Sequence, residues 1–141
     1  MLGPEIGFDW REPCFASLLV HPLDKAIGYD GAGDFQVSGD GGLRRRMGAP
    51  AAPYVFTGIQ ILHPRLFAHA PTENFSMNRL YDRGMSPDGT LHRVRALVHD
   101  GEWLHVGDPQ GLQQADRFLQ EHARGIRSPS RSSPTDSPLP E

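Results

Sequence analysis

The stretch that decides the fold is Tyr54-Val-Phe-Thr-Gly-Ile-Gln-Ile-Leu62. It is dense in aromatic and β-branched side chains, which pack well on a pleated sheet, and His63-Pro64 ends it because proline cannot donate to a strand ladder. A second apolar run, Phe15 to Val20, is continuous rather than alternating and is closed by Pro22. Such a run is typical of a strand that is covered on both faces. Both segments are therefore expected in the core of a layered structure.

Two hairpins are predicted around these strands. Asp34–Val37 and Leu43–Arg46 flank a glycine-rich turn, which favours a strand, a tight turn and an exposed return strand. Leu91–His99 and Trp103–Val106 flank the dipeptide Asp100-Gly101, which readily adopts positive φ. The second pair is therefore also predicted to be a hairpin.

Two helices are predicted from their start and stop signals. The first is capped by Ser76 and is expected to run to about Met85. The second is capped by Asp108, has proline in its first turn and ends at Gly125. The apolar stripe of the second helix comprises Leu112, Ala115, Phe118, Leu119 and Ala123.

Strands that alternate with helices indicate an α/β fold with a mixed sheet, flanking helices and hairpins. The few strong central strands suggest that the sequence is part of a larger fold. Residues 1–13 are expected to be irregular, residues 14–126 to form the folded part, and residues 127–141 to be a disordered tail of polar residues and proline.

Composition narrows the function classes. The formal charge of -3 offers no general attraction for nucleic acid or an anionic membrane, so neither partner is expected. Cys14 is the only cysteine and excludes an internal disulfide framework, and no secretory signal or membrane span is recognisable, which together favour a cytoplasmic protein. Lys25 is the only lysine, so an abundance of arginine is not by itself a sign of a phosphate site.

Three stretches occur in the order and approximate spacing of one enzyme family: Gly31–Phe35, Tyr54–Phe67 and Gly101–Pro109. From Phe15 to Leu119 the chain resembles the second half of the short bacterial sugar-1-phosphate nucleotidyltransferases, which include N-acetylmuramate-1-phosphate uridylyltransferases and mannose-1-phosphate guanylyltransferase-like enzymes. The resemblance implies a partial Rossmann-like nucleotidyltransferase fold. Residues 14–126 would be its carboxyl-terminal part, without the amino-terminal half that binds the nucleotide.

These enzymes join a nucleoside triphosphate to a sugar 1-phosphate and release pyrophosphate, as in nucleotide-sugar synthesis for the cell wall. The resemblance therefore implies both substrates as partners of the complete enzyme, and Mg²⁺ as its cofactor. It also implies that this chain is inactive alone, because the glycine-rich nucleotide loop and its metal-binding carboxylate belong to the other half. That half, or a second copy of this chain, is the expected protein partner.

By the same resemblance, Gly33 and Asp34 lie at the edge of a sugar pocket, although a strand-entry turn explains them equally well. Thr57 and Gly58 would lie on the strand that forms the pocket floor, where Gly58 makes room either for ligand or for a closely packed helix. Asn78 could reach sugar hydroxyls or simply belong to an exposed helix face. The glycine-rich segment 28–34 contains two aspartates, which repel phosphate. This segment therefore suits contact with a sugar better than it suits the binding of a phosphate group.

His105 occupies a position at which many relatives carry a metal-binding aspartate, and it is the candidate catalytic residue. A neutral imidazole is a poor ligand for magnesium, which prefers oxygen. Either the metal is held by the other half, substrate phosphates and water, or a softer metal binds, or His105 donates a hydrogen bond to phosphate; a half-buried structural histidine is also possible. The first and third are favoured, and no metal ligand is assigned.

Two other functions remain open. The first is a non-catalytic binding or assembly module that has kept the sugar pocket. The second is a small metal-dependent hydrolase that uses His105 with Asp100 or Asp108, although the sequence shows no converging ligand set.

Overall fold

Residues 14–85 and 93–126 are described by a computed structural model. They form strands β1 (Ala16–Pro22), β2 (Phe35–Val37), β3 (Leu43–Arg45), β4 (Tyr54–Leu62) and β5 (Val94–Val98), helices α1 (Asn78–Gly84) and α2 (Pro109–Ile126), and 3₁₀ turns at Leu23–Lys25 and Pro64–Phe67. The sheet has the order β3-β2-β4-β1-β5. Because β1 runs antiparallel to β4 and parallel to β5, the sheet is mixed, and the expected α/β class is confirmed.

In the sheet, β1 lies between β4 and β5, and the core lies on one face of β1. Every second side chain of β1 points to this face. Those of Ala16, Leu18 and Val20 are at most 2% exposed and pack with Leu80 of α1. Burying each of the two larger side chains stabilises the fold by roughly 1.5–3 kcal/mol. On the opposite face of β1, His21 is also buried, at 1% exposure. The prediction of a strand covered on both faces is confirmed, as are the predicted bounds of β4.

The predicted β2–β3 hairpin is confirmed and curls across the sheet. Phe35 and Leu43 bring it into the core, each no more than 2% exposed. Its turn then reaches the outer side of β5, where the Ala96 amide donates to the Gly41 carbonyl at 2.8 Å, beside a bridge between Gly42 and Arg95. The hairpin therefore covers part of the β5 edge.

The second predicted hairpin is wrong. β5 pairs in parallel with β1, with Ala16 opposite Val94, and among the described residues the returning segment forms one bridge, between Leu104 and Ile27. The physical reason is that β1 holds one side of β5, while the β2–β3 turn occupies part of the other side. Asp100-Gly101 still turns the chain, but it sends the chain past the end of β1.

Both predicted helices are present. The predicted cap of the first helix is wrong, because Met77 is the N-cap of α1 and Ser76 lies one residue earlier, where its hydroxyl accepts from the Asn78 amide at 3.3 Å. The Asp108 carboxylate accepts from the Gly111 amide at 2.7 Å, which caps α2 as predicted. α2 ends at Ile126, one residue beyond the predicted end. Its stripe is only partly covered by the described residues, since Ala115 is buried whereas the leucines of the stripe, Leu112 and Leu119, are 58% and 59% exposed.

The predictions for residues 1–13 and 127–141, and for the end of the loop after α1, lie outside the described residues. Within the described ranges, no helix has the length and apolar character needed to cross a bilayer.

Candidate functional site

Two of the residues predicted for the sugar pocket, Gly33 and Asp34, lie near the carboxyl end of β1. Gly33 has φ of +75°, and a Cβ at this position would lie 2.2 Å from the Ala52 carbonyl oxygen. Asp34 donates its amide to the Tyr54 carbonyl at 2.7 Å, and its carboxylate accepts from the Phe56 amide at 2.8 Å. Gly33 and Asp34 therefore join β2 to the start of β4, and the strand-entry turn explains their residue types.

Thr57 and Gly58 form a bulge in β4. Leu18 pairs with Gln60 whereas Val20 pairs with Phe56, so β4 carries extra residues across from β1. The Thr57 hydroxyl donates to the Leu19 carbonyl at 2.9 Å and holds the bulge against β1. Gly58 has φ of +86°, and a Cβ at this position would meet no atom within 4 Å. Among the described residues no helix packs there, so Gly58 is required by its backbone conformation and leaves open space beside the strand.

Asn78 is exposed in the first turn of α1, where Ser76 binds its amide. In the described part of the chain, no hydrogen bond or ion pair joins its side chain to the residues at the β2–β4 junction. The structure therefore does not bring Asn78 together with Asp34.

His105 is half-buried, and its backbone is tightly held. Its amide donates to the Ile27 carbonyl at 2.7 Å, and a Cβ on Gly28 or Gly111 would lie 2.6 or 2.7 Å from its carbonyl oxygen. These two glycines allow the loop after β1 and the first turn of α2 to approach the His105 carbonyl. Sequence reasoning missed this role, because it depends on how the loop after β1, distant in the chain, and the first turn of α2 pack around His105.

The imidazole of His105 belongs to an aromatic cluster at the end of β1. Its ring lies 5.5 Å from Tyr29, edge to face, and 5.6 Å from Trp103, measured between centroids. His21 extends the cluster, with its ring 5.7 Å from Trp103. A Cβ on Gly107 would lie 2.5 Å from the His105 Nε2, so glycine at this position lets the backbone pass close to the imidazole.

His21 is a member of this cluster to which sequence reasoning gave no role. Its Nε2 lies 3.0 Å from the Gly101 carbonyl, which can only accept, so Nε2 carries the proton. Its buried Nδ1 has no hydrogen-bond partner in the described structure. The position of His21, directly after the apolar run of β1, was the only signal in the sequence.

A polar cavity of about 180 Å³ lies beside the His105 backbone, between the loop after β1 and the start of α2. Two carboxylates and two amide side chains line it, which suits a ligand rich in hydroxyl groups and opposes the binding of phosphate. These four residues are Asp30, Asp108, Gln110 and Gln114.

The described residues do not fit a metal. Within residues 14–85 and 93–126, no group of three or more histidine, cysteine, aspartate or glutamate side chains is placed to hold a cation. Asp108 is engaged by the Gly111 amide and Asp34 by the Phe56 amide. The hydrolase interpretation of His105 therefore has no ligand set in this part of the chain.

No model of a protein family matches the chain. The chain is 34% identical over 104 residues to the N-acetylmuramate alpha-1-phosphate uridylyltransferase of Caulobacter vibrioides, a match that covers 74% of this chain and 41% of the relative. The chain thus spans less than half the length of this curated relative. The similarity supports the conclusion that the chain is a relative of the sugar-1-phosphate nucleotidyltransferases.

Proposed function

We propose that this chain forms the carboxyl-terminal, sugar-binding part of a nucleotidyltransferase of partial Rossmann-like fold. The reaction is attack by an oxygen of a sugar 1-phosphate on the α-phosphorus of a nucleoside triphosphate, with pyrophosphate as the leaving group. The observation that carries the proposal is the 34% identity over 104 residues to a uridylyltransferase. With a triphosphate as substrate, the proposed activity belongs in the cytoplasm.

The polar cavity supports a sugar-binding role. Asp30 from the loop after β1 and Gln114 from α2 both line the cavity and carry a carboxylate and an amide. Groups of this kind donate to and accept from sugar hydroxyls. Its size is suited to a single sugar ring rather than to a whole nucleotide sugar, since complete ligand pockets have volumes of roughly 300–1,000 Å³.

In this proposal His105 donates a hydrogen bond to the phosphate of the sugar. Its clamped backbone and its contacts with Tyr29 and Trp103 fix the ring, and glycine at position 107 leaves no side chain against Nε2. A fixed donor of this kind helps to align two anions for reaction. No magnesium ligand is assigned to the described residues, so any cation of the reaction is held by other groups.

The nucleotide is expected to bind elsewhere. Helix N-termini often bind phosphate through their free amides, but Asp108 caps the N-terminus of α2 and adds a negative charge there. α1 is only seven residues long and starts at Asn78. The described residues therefore offer no helix end suited to a triphosphate, which supports the expectation that this chain is inactive without a nucleotide-binding part.

Two measurements test the proposal. The 141-residue chain, mixed with UTP or GTP and a sugar 1-phosphate, is expected to release no pyrophosphate; robust release by the chain alone would overturn the assignment of the nucleotide to another part. Titration with N-acetylmuramate α-1-phosphate, followed by calorimetry, should show saturable binding. We expect Asp30→Ala or Gln114→Ala to weaken that binding about tenfold, the loss of roughly one hydrogen bond to a polar ligand.

Gln113→Ala is the matched control for Gln114→Ala, because Gln113 is exposed on the same helix and does not line the cavity. Equal affinities of the Gln113 and Gln114 variants would exclude the polar cavity as the sugar site. His105→Gln keeps a hydrogen-bond donor and should retain more binding than His105→Ala.

A second candidate function is a non-catalytic binding or assembly module. It is favoured by Ile59 and Ile61 of β4, which are 60% and 52% exposed on the face of the sheet away from the core. Neighbouring exposed apolar side chains commonly mark association surfaces. Sedimentation across a range of concentrations distinguishes the candidates: self-association that is lost in Ile59→Thr/Ile61→Thr, together with no sugar binding, would favour the assembly module.

A further inference from the structure

A cavity of about 570 Å³ lies away from the proposed sugar site. It is lined by Phe15 and Arg93, which directly precede β1 and β5, and by Arg65, which follows β4. These positions meet at the amino end of β1. The sugar-site residues lie past its carboxyl end, and a strand of this length separates the two regions by about 20 Å.

The walls of this cavity are cationic. Arg65, Arg83 and Arg93 line it together with His69, and none of its described lining residues is acidic. Within the described ranges, no ion pair involves these three arginines, in contrast to Arg45, which pairs with Asp82. Three guanidinium groups without carboxylate partners repel one another, and an anion relieves that repulsion.

The general abundance of arginine in this chain does not explain the arrangement. The three arginines come from three separate elements, namely the turn after β4, α1 and the residue before β5, and they line one cavity. Arg93 is also held in place, because its guanidinium lies over the Phe15 ring at 5.4 Å. A cation positioned over an aromatic face loses less side-chain freedom when it binds a ligand.

The floor of the cavity is apolar. Leu66 and Leu80 are 6% and 1% exposed, and Phe15 also lines the cavity. A free inorganic anion would gain nothing from this floor, whereas a ligand with a flat or apolar body would bury surface against it. Guanidinium groups bind phosphate oxygens in a bidentate manner, and several of them suit a doubly charged phosphate better than a single carboxylate.

We propose that this cavity, here called the arginine cavity, binds a small phosphate ester with an apolar or aromatic body. It is a second anion site that is independent of the proposed transfer reaction. Arg65, Arg83 and Arg93 bind the phosphate, and Phe15, Leu66 and Leu80 contact the body of the ester.

The test uses the full chain and simple probes. Phenyl phosphate should bind in a saturable manner with a Kd below about 1 mM, at least about tenfold more tightly than inorganic phosphate or benzoate. Raising the ionic strength from about 0.05 M to 0.5 M should weaken the binding, because the contacts are charged and exposed. Equal affinities for the three probes, or no saturable binding, would overturn the proposal.

Substitutions locate the site. Arg83→Gln and Arg93→Gln should each weaken phenyl phosphate about tenfold. Arg117→Gln, an exposed arginine on α2, is the matched control and should leave affinity unchanged. Equal weakening by all three variants would indicate nonspecific attraction and refute the site. All three positions are exposed, and circular dichroism verifies that the variants are folded.

A second measurement separates this proposal from the proposed function. Phenyl phosphate should shift the backbone amide resonances of Phe15, Leu66 and Gly84 and leave the indole resonance of Trp103 unchanged. Shifts confined to Trp103 and its neighbours would place the anion at the proposed sugar site and refute its binding in the arginine cavity. Failure of sugar 1-phosphate binding in the polar cavity would leave these expectations unaltered.

Discussion

Replacing Gly33 and Gly58 separately by alanine compares two glycines of similar backbone conformation in different surroundings. Their φ angles are +75° and +86°. A residue with a Cβ in this left-handed region costs about 1–2 kcal/mol, so the free energy of unfolding of both variants should fall by this amount. The new Cβ at position 58 meets no atom within 4 Å, so Gly58→Ala should lose about this amount and no more.

At position 33 the new Cβ would lie 2.2 Å from the Ala52 carbonyl oxygen, well inside the 3.0 Å below which such contacts essentially do not occur. Ala52 is 1% exposed, so its backbone cannot move outward without disturbing packed neighbours. Overpacking of this kind adds about 1–3 kcal/mol, and Gly33→Ala should therefore be destabilised by about 2–5 kcal/mol in total.

The assay is equilibrium unfolding in urea, followed by far-ultraviolet circular dichroism at one low protein concentration. Gly33→Ala should have the lower midpoint, by a difference equivalent to about 1–3 kcal/mol. Equal losses of unfolding free energy in the two variants would refute the argument, because the contact with Ala52 would then not be what requires glycine at position 33.

Three further outcomes are expected. His21→Ala should lower the unfolding free energy by about 2–3 kcal/mol in urea, because it leaves a cavity and an unpaired Gly101 carbonyl; a loss below about 0.5 kcal/mol would contradict the buried hydrogen bond. Burial raises the pKa of Tyr81 above its ordinary 10.0. As the pH rises through and above 10, the unfolded chain therefore loses this proton first, and the stability of the fold falls. Tyr81→Phe should reduce this alkaline loss, measured as urea midpoints from pH 8 to 11. An unchanged dependence of the midpoint on pH would refute the assignment. Asp82→Asn breaks the 2.8 Å pair with Arg45, but both side chains are partly exposed, so urea unfolding should show a loss of less than about 1 kcal/mol that shrinks at high salt.

Local chemistry explains which elements could be predicted from the sequence. The bounds of β4 follow from a dense run of β-formers and a terminating proline, and the start of α2 follows from the Asp108 cap, both of which are short-range signals. The parallel pairing of β5 with β1 could not be predicted, because Asp100-Gly101 is equally compatible with a hairpin or with a turn past the sheet. Which one forms depends on the β2–β3 turn, a competitor distant in sequence.

The candidate site was predictable only in part. The resemblance pointed to Asp34 and His105, but it could not reveal that the Asp34 carboxylate binds the Phe56 amide. The close approach of Gly28 and Gly111 to the His105 carbonyl was equally hidden, since each glycine has an ordinary local context. Such contacts arise from three-dimensional packing and leave no short-range signal.

The pairing of β5 also has a consequence for the order of folding. β1 and β4 can pair as soon as both have been synthesised. β5 is made later, and its Val94 pairs with Ala16, near the start of the described chain. Closing so long a loop costs entropy before any pairing can repay it, and sheets with such distant partners assemble slowly. Until β5 pairs with β1, Leu18 and Val20 lack a neighbouring strand on one side. On the ribosome, the nascent sheet therefore exposes an unpaired apolar edge that is prone to aggregation, and we expect chaperones to bind it.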